Sequence, residues 1–130
     1  MALNAQQQAI NRITGKNVIV SASAGTGKTT VLTARIIGYL QDERNDISEY
    51  LIVSFTEAAA GELKDRISSE LKKFIDAETS PSKKQHYLNQ LAKIPVANIS
   101  TIHSFCLDIL KKYGYVLGID PAVAGRLANE

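Results

Sequence analysis

The segment Ala22-Ser23-Ala24-Gly25-Thr26-Gly27-Lys28-Thr29 constrains this chain more than any other. It is built of small residues, ends in a lysine and a threonine, and lies between two patterns of different period. Before it, the β-branched apolar run Asn17-Val18-Ile19-Val20-Ser21, bounded by Gly15 and Gly25, predicts a strand buried on both faces. After it, Val31, Leu32, Ile36, Ile37 and Leu40 fall at helical spacing. A strand that passes through such a loop into a helix makes a cradle for an anion. Small side chains at Ala22, Ala24, Gly25 and Gly27 let backbone N–H groups curl round a phosphate, and the helix start adds unpaired donors and the positive end of its dipole. Lys28 supplies a compact charge for β- and γ-phosphates, and the Thr29 hydroxyl can ligate Mg²⁺. Ala22 stands where the motif usually opens with glycine; alanine suits the loop if the backbone there is not left-handed. A glycine-rich turn that binds nothing is the bland alternative, and the Gly-Lys-Thr at a strand–helix junction argues against it.

Downstream, Gln41 to Ser48 is polar and reads as a loop, and Tyr50 to Phe55 reads as a second strand. Leu63, Ile67, Leu71, Phe74 and Ile75 make one stripe on a 3.6-residue period, predicting a helix from about Glu57 to Ile75. Ser80 as cap with Pro81 at the first helical position starts another helix, which Pro95 ends. Ala97 to Ile102 is a third strand candidate, followed by a helix from Ser104 to Tyr113 that Gly114 stops. Strands alternating with helices predict an α/β fold with a parallel sheet covered on both faces.

Composition excludes classes without choosing one. The 130 residues fit one domain, and 45% hydrophobic with 22% charged residues is ordinary globular balance. No apolar run approaches the length of a membrane span, and the start lacks a signal-peptide pattern. The single cysteine, Cys106, points to a reducing, cytoplasmic setting, and at its place in the last helix it reads as a small buried residue. A net charge of +2 is too small to argue about nucleic acid. Lys72-Lys73, Lys83-Lys84 and Lys111-Lys112 are interleaved with acids and read as solvated faces. No apolar strand ends in Asp or Asp-Glu: Asp42, Asp76 and Asp120 follow no β-branched run, so the acid that normally completes a nucleotide hydrolase is missing.

Three further segments carry a resemblance. Phe55-Thr56-Glu57-Ala58-Ala59-Ala60-Gly61-Glu62-Leu63 with Arg66-Ile67 resembles motif Ia of superfamily 1 helicases of the UvrD/Rep type. Ser100-Thr101-Ile102-His103-Ser104-Phe105-Cys106 resembles the T-x-H-S-F motif of that family, and Leu3-Asn4-Ala5-Gln6-Gln7-Gln8-Ala9-Ile10 resembles its Q motif. Within the family the wording is most similar to the AddA (RexA) type of helicase–nuclease chain. The resemblance implies a RecA-like P-loop NTPase fold, with residues 1–130 the incomplete N-terminal part of the first motor domain and the acidic motif downstream of Glu130. It implies an ATP-dependent 3′-to-5′ DNA helicase, cytoplasmic, acting at single- and double-stranded DNA ends in double-strand-break repair, beside an AddB (RexB)-type subunit. The isolated segment, lacking the acidic motif, would bind ATP without turning it over. Ala22, Ser23, Ala24, Gly25, Thr26, Gly27, Lys28, Thr29 and Thr30 would hold ATP, with Lys28 and Thr29 in the catalytic set and Thr29 on Mg²⁺. Thr30 stands where many relatives carry an arginine. A Q-motif glutamine would read adenine: counting back from Ala9-Ile10 picks Gln6, counting forward from Leu3-Asn4 picks Gln7, and the helix anchor favours Gln6. Phe55, Thr56, Thr101, His103 and Ser104 would face single-stranded DNA, the ring for stacking and the rest as neutral donors to phosphate. Without the family, Phe55 is more readily the last core residue of its strand and His103 a structural hydrogen-bonder. Glu57 stands where relatives usually have Asn or Lys; a carboxylate there repels phosphate, so it either faces away or caps the long helix, and the cap is the expectation. Competing readings are another UvrD-like helicase, a stand-alone nucleotide-binding or phosphotransfer protein, and a non-catalytic single-strand-binding module.

Overall fold

The longest helix forms where the pattern is strongest. In a computed structural model that describes residues 3–21 and 27–127, the elements run α1 Ala5–Asn11, α2 Lys28–Leu40, β1 Leu51–Ser54, α3 Glu57–Ala77, α4 Pro81–Lys93, β2 Asn98–Thr101, α5 Ile102–Tyr113 and α6 Pro121–Leu127. Short 3-10 turns span Ile47–Glu49, Ile94–Val96 and Gly114–Leu117. The chain divides into two compact units, Met1–Tyr50 with Glu62–Ala97, and Leu51–Gly61 with Asn98–Glu130.

The first unit holds most of the buried apolar side chains. Leu63, Ile67, Leu71 and Ile75 of α3 are buried, with Val31, Ile36, Ile37 and Leu40 of α2 and Tyr87 of α4. The Phe74 and Tyr87 rings lie 5.8 Å apart at 49°, a tilted pair joining α3 to α4. The polar stretch after α2 contains one fully buried apolar residue, Ile47, and polar groups of α4 hold it there. Buried Gln90 accepts the Ile47 N–H through Oε1 at 2.7 Å and donates Nε2 to the Asp46 carboxylate at 3.2 Å. Asp46 also pairs with Lys93 and accepts from the Ser48 N–H and hydroxyl. The Lys93 ammonium first, then the Ser48 donors, hold the Asp46 carboxyl well below the usual carboxylate range. His86 Nε2 donates to the Leu40 carbonyl at 2.8 Å, satisfying an acceptor at the end of α2.

The second unit carries the sheet. β1 and β2 pair in parallel, Leu51 opposite Asn98 through Ser54 opposite Thr101. Because side chains alternate, Ile52 and Ile99 are buried on one face while Leu51 and Val53 are exposed on the other. α5 packs on β2 and receives the 3-10 turn Gly114–Leu117 and α6.

Several expectations are corrected. Residues 17–21 form no strand: a strand exists through the ladder its neighbours supply, and among the described residues β1 and β2 pair only with each other. Ile19 is accordingly 96% exposed. Among the described residues the sheet is covered on one face rather than two. Ser80 occupies the cap position of α4, but its side chain makes no capping bond; Glu78 Oε1 instead accepts the N–H groups of Thr79 and Ser80. Gly114 does not end α5 in a left-handed turn. It keeps a right-handed φ of −57°, the chain continues into the 3-10 turn, and the left-handed residue is Gly118 at φ 71°. Cys106 is exposed, because α5 has no buried residue among its twelve. The paired lysines are exposed, as the charge pattern implied.

Candidate functional site

The nucleotide-facing candidates lie in the first unit, at the start of α2. Gly27 is its N-cap, with φ 86° and ψ 25°, and its carbonyl accepts the Val31 N–H at 3.0 Å to open the helix. A left-handed backbone favours glycine, and the space gives a second reason: a Cβ built on Gly27 would lie 2.6 Å from Gln7 Nε2. Lys28 and Thr29 form the first turn of α2 and are exposed, while Thr30 is half-buried with its hydroxyl 3.5 Å from Arg66 Nη1. The five residues expected to complete the loop, Ala22, Ser23, Ala24, Gly25 and Thr26, lie outside the described residues.

The amide over Gly27 is held by α1. Asn4 and Gln7 form a capping box: Gln7 N–H donates to Asn4 Oδ1 at 2.9 Å, and Asn4 N–H donates to Gln7 Oε1 at 3.0 Å. One amide atom of Gln7 is therefore committed to the cap while the other lies against Gly27. Gln6, in the same turn, is exposed. Arg35 ties α1 to α2, donating Nη1 to the Ile10 carbonyl at 3.2 Å and Nη2 to the Ile13 carbonyl at 2.7 Å, with its guanidinium 5.4 Å from the Tyr39 ring centre. Asn11 Nδ2 donates to the Val31 carbonyl at 3.2 Å. Between these elements lies a cleft of about 330 Å³, walled by Ile10, Val18, Val20, Val31 and Leu32 together with Lys28 and Arg35. An apolar cleft carrying two cations suits a ligand with a flat apolar part and an anionic part.

The second unit holds the other candidates. Phe55, between β1 and α3, is 95% exposed, so it is not the last core residue of its strand. Thr56 is exposed and caps α3, its Oγ1 accepting the Ala59 N–H at 3.1 Å. The cap expected of Glu57 is thus made by the residue before it, which stands one position outside the helix where a side-chain oxygen reaches the third N–H. Glu57, the first residue of α3, accepts from the Ser104 hydroxyl at 2.6 Å and the Thr101 hydroxyl at 3.1 Å. Thr101 is buried and caps α5, its Oγ1 accepting the Ser104 N–H at 3.1 Å. His103 is exposed. Phe55, Thr56, Glu57, Thr101 and Ser104 thus sit where two parallel strands hand over to two helices.

Sequence reasoning misses the packing of Gln7 on Gly27, the bridge made by Arg35 and the engagement of Glu57. The Asn4-x-x-Gln7 spacing is a visible capping-box signature, whereas Arg35 and Glu57 act on partners distant in the chain and leave no local mark. Among the described residues no three His, Cys, Asp or Glu side chains converge on a metal position.

Residues 3–126 match the UvrD/REP helicase N-terminal domain. The chain is 52% identical over 117 residues to the A-type subunit of an ATP-dependent helicase/nuclease from Ligilactobacillus salivarius, covering 90% of this chain and 9% of that protein. Proteins of the same description from Enterococcus faecalis and Natranaerobius thermophilus are 47% and 52% identical, each over 82% of this chain and 8% of their own length. The chain therefore spans about a tenth of the length of these relatives. Matched along nearly its whole length, it belongs to the UvrD/REP helicase N-terminal domain family.

Proposed function

We propose that this chain is the ATP-binding N-terminal part of a RecA-like motor domain, residues 1–130, in an ATP-dependent 3′-to-5′ DNA helicase of the AddA (RexA) helicase–nuclease type. The observation that carries the reading is Gly27: a left-handed residue under the Gln7 amide, immediately before Lys28 and Thr29 at the start of α2. A Cβ-free approach followed by a helix start is what a phosphate needs to meet backbone N–H groups. The loop Ala22 to Gly27 would wrap the triphosphate, Lys28 would neutralise its β- and γ-phosphates, and Thr30 would flank them from the next position of α2. Thr29 would hold Mg²⁺ through its hydroxyl; when bound, the ion offsets charge building on the phosphate oxygens. A two-point hydrogen bond to an adenine edge needs both atoms of a side-chain amide. The Gln7 oxygen is committed to Asn4, so Gln6 is the residue assigned to adenine and Gln7 to shaping the loop. Phe55 offers a fully open ring for base stacking, worth about 1–3 kcal/mol per base. Thr56, His103 and Ser104 would meet phosphate oxygens beside it, with Thr101 setting Ser104 in place. In the whole protein, nucleotide-driven movement on single-stranded DNA would unwind ends during double-strand-break repair in the cytoplasm, beside an AddB (RexB)-type subunit. No helix among the described residues is long and apolar enough to cross a membrane.

The test is binding of a fluorescent ATP analogue with Mg²⁺ to the 130-residue chain. Binding without turnover is expected, and Lys28→Ala should weaken it by about tenfold or more, the worth of a charge-assisted phosphate contact. Unchanged affinity in Lys28→Ala would overturn the phosphate-loop reading. Brisk hydrolysis by the chain alone would favour a self-contained phosphotransfer protein instead.

A further inference from the structure

Resting on the reading that α1 carries the residue assigned to adenine, we propose that Arg35 is a positioning residue for base selection. Its guanidinium holds α1 against α2, and without it the chain no longer tells adenine from guanine.

α1 cannot place itself. A seven-residue helix is too short to be stable alone, and none of its residues is fully buried. Gln7, Ile10 and Asn11 are half-buried, while Ala5, Gln6, Gln8 and Ala9 are exposed. Two of the half-buried side chains are amides, so little apolar burial fixes the helix. Polar ties do so instead. Arg35, half-buried on α2, donates Nη1 to the Ile10 carbonyl at 3.2 Å and Nη2 to the Ile13 carbonyl at 2.7 Å. These carbonyls belong to the end of α1 and the turn after it, where a helix leaves acceptors short of partners. Asn11 adds a second tie, Nδ2 to the Val31 carbonyl of α2 at 3.2 Å.

The fork makes the first tie directional. Two nitrogens of one rigid plane on two separate carbonyls fix rotation as well as distance, which a single point charge does not. The Tyr39 ring, 5.4 Å from the guanidinium, backs the plane. Gln6 lies one turn before Ile10 on the same side of α1, so any turn of the helix about its axis moves Gln6. Ile10 and Arg35 both wall the cleft of about 330 Å³. Adenine presents a donor beside an acceptor where guanine presents two acceptors, and only an amide held in place reads that difference.

The experiment compares ribose-labelled fluorescent analogues of ATP and GTP, each with Mg²⁺, on the 130-residue chain, with thermal melting as the folding control. The readout is the ratio of the two affinities. Both nucleotides carry the same triphosphate, so a change at the phosphate loop or a loss of folded chain cancels in the ratio. The parent should prefer ATP by about tenfold or more, the discrimination of a two-point amide contact. Arg35→Met keeps an apolar stem and removes the fork, and should bring the ratio to within about twofold of one. Arg35→Lys keeps the charge without the fork and should lose most of the preference. Asn11→Ala, which leaves the cleft walls unchanged, should lower the ratio about threefold, the worth of one hydrogen bond, and carries the test if the Arg35 variants do not fold. In a Gln6→Ala chain the ratio starts near one, and Arg35→Met should not lower it further; a further fall would put Arg35 on the base itself and overturn the positioning role. A parent-like ratio in Arg35→Met, or in Asn11→Ala if the Arg35 variants do not fold, overturns the inference and leaves the adenine reading intact. Full preference in Arg35→Lys does the same, since charge rather than the fork would then suffice. A parent chain that binds both nucleotides equally, or neither, overturns the adenine reading and the inference together.

Discussion

Two carboxylates tie together stretches of this chain more than forty residues apart, and they do so with different partners. Asp46 is held by the Lys93 ammonium, the Gln90 amide and the Ser48 hydroxyl, above a core that includes fully buried Ile47 and nearly buried Tyr87 and Ile94. Glu57 is held by the hydroxyls of Thr101 and Ser104, in a unit where Leu51, Val53, Phe55, Ile102, Ile109 and Tyr113 are all substantially exposed. A cation-paired acid over a packed core has one arrangement available, since releasing it would strand an amide and an N–H. The hydroxyls on Glu57 belong to the caps of a helix start at an open surface, with no such core beneath them. Both nodes join distant stretches of chain, but only the first does so over a packed core.

That contrast predicts an unequal division of stability, and core truncation tests it with the largest effect. Leu71 is fully buried on the α3 stripe, so Leu71→Ala removes buried methyl groups and leaves a cavity, costing about 2–5 kcal/mol. Leu117 is 77% exposed, and Leu117→Ala should stay within about 0.5 kcal/mol of the parent. Urea melts of the two variants read the difference directly. Equal losses would mean that apolar burial is not concentrated in the first unit, and the comparison would break.

Gly27→Ala sharpens the functional side. Placing an L-residue at φ 86° costs about 1–2 kcal/mol, and the new Cβ forces the Gln7 amide to swing away, opening the capping box of α1. The variant should lose stability by that amount and also lose affinity for the ATP analogue. A Gly27→Ala chain that binds the analogue as well as the parent would show that neither the left-handed turn nor the amide contact shapes the loop.

How much of this was legible follows from the range of each interaction. The α3 stripe, the Pro81 helix start and the order of the strands at 51–54 and 98–101 are written in local periodicity and punctuation, and the structure has them within a residue or two. Residues 17–21 mislead because an apolar β-branched run reports the wish to be buried but not the presence of a neighbour to pair with; Ile19 is exposed for want of one among the described residues. Cys106 misleads likewise: it lies on an amphipathic helix whose apolar side is incompletely covered. At the candidate site, the helix start at Lys28 and Thr29 was readable because a glycine followed by a helical period is a local signal. Thr56 as cap and the capture of Thr101 and Ser104 by Glu57 were not, because a threonine offers the same hydroxyl to helix, carboxylate or phosphate and only the fold decides which is nearest.

The smallest effect separates the two acids by pH. The Asp46 carboxyl is depressed in the folded chain, so the folded state binds its proton less readily than the unfolded state does. Its contribution is therefore complete above the unfolded carboxyl value of about 4 and is withdrawn as pH falls below that toward the lowered native value. Because the Asp46 side chain is 26% exposed and that of Lys93 is 46% exposed, solvent screens the pair, and the contribution is about 1 kcal/mol. Urea melts of the parent chain and Asp46→Asn at pH 7 should differ by that amount, and the difference should shrink as the pH is lowered from about 4 toward 2. A difference that stays constant over that range would mean that Asp46 acts through its shape and hydrogen bonds to Ser48 and Gln90 rather than through charge.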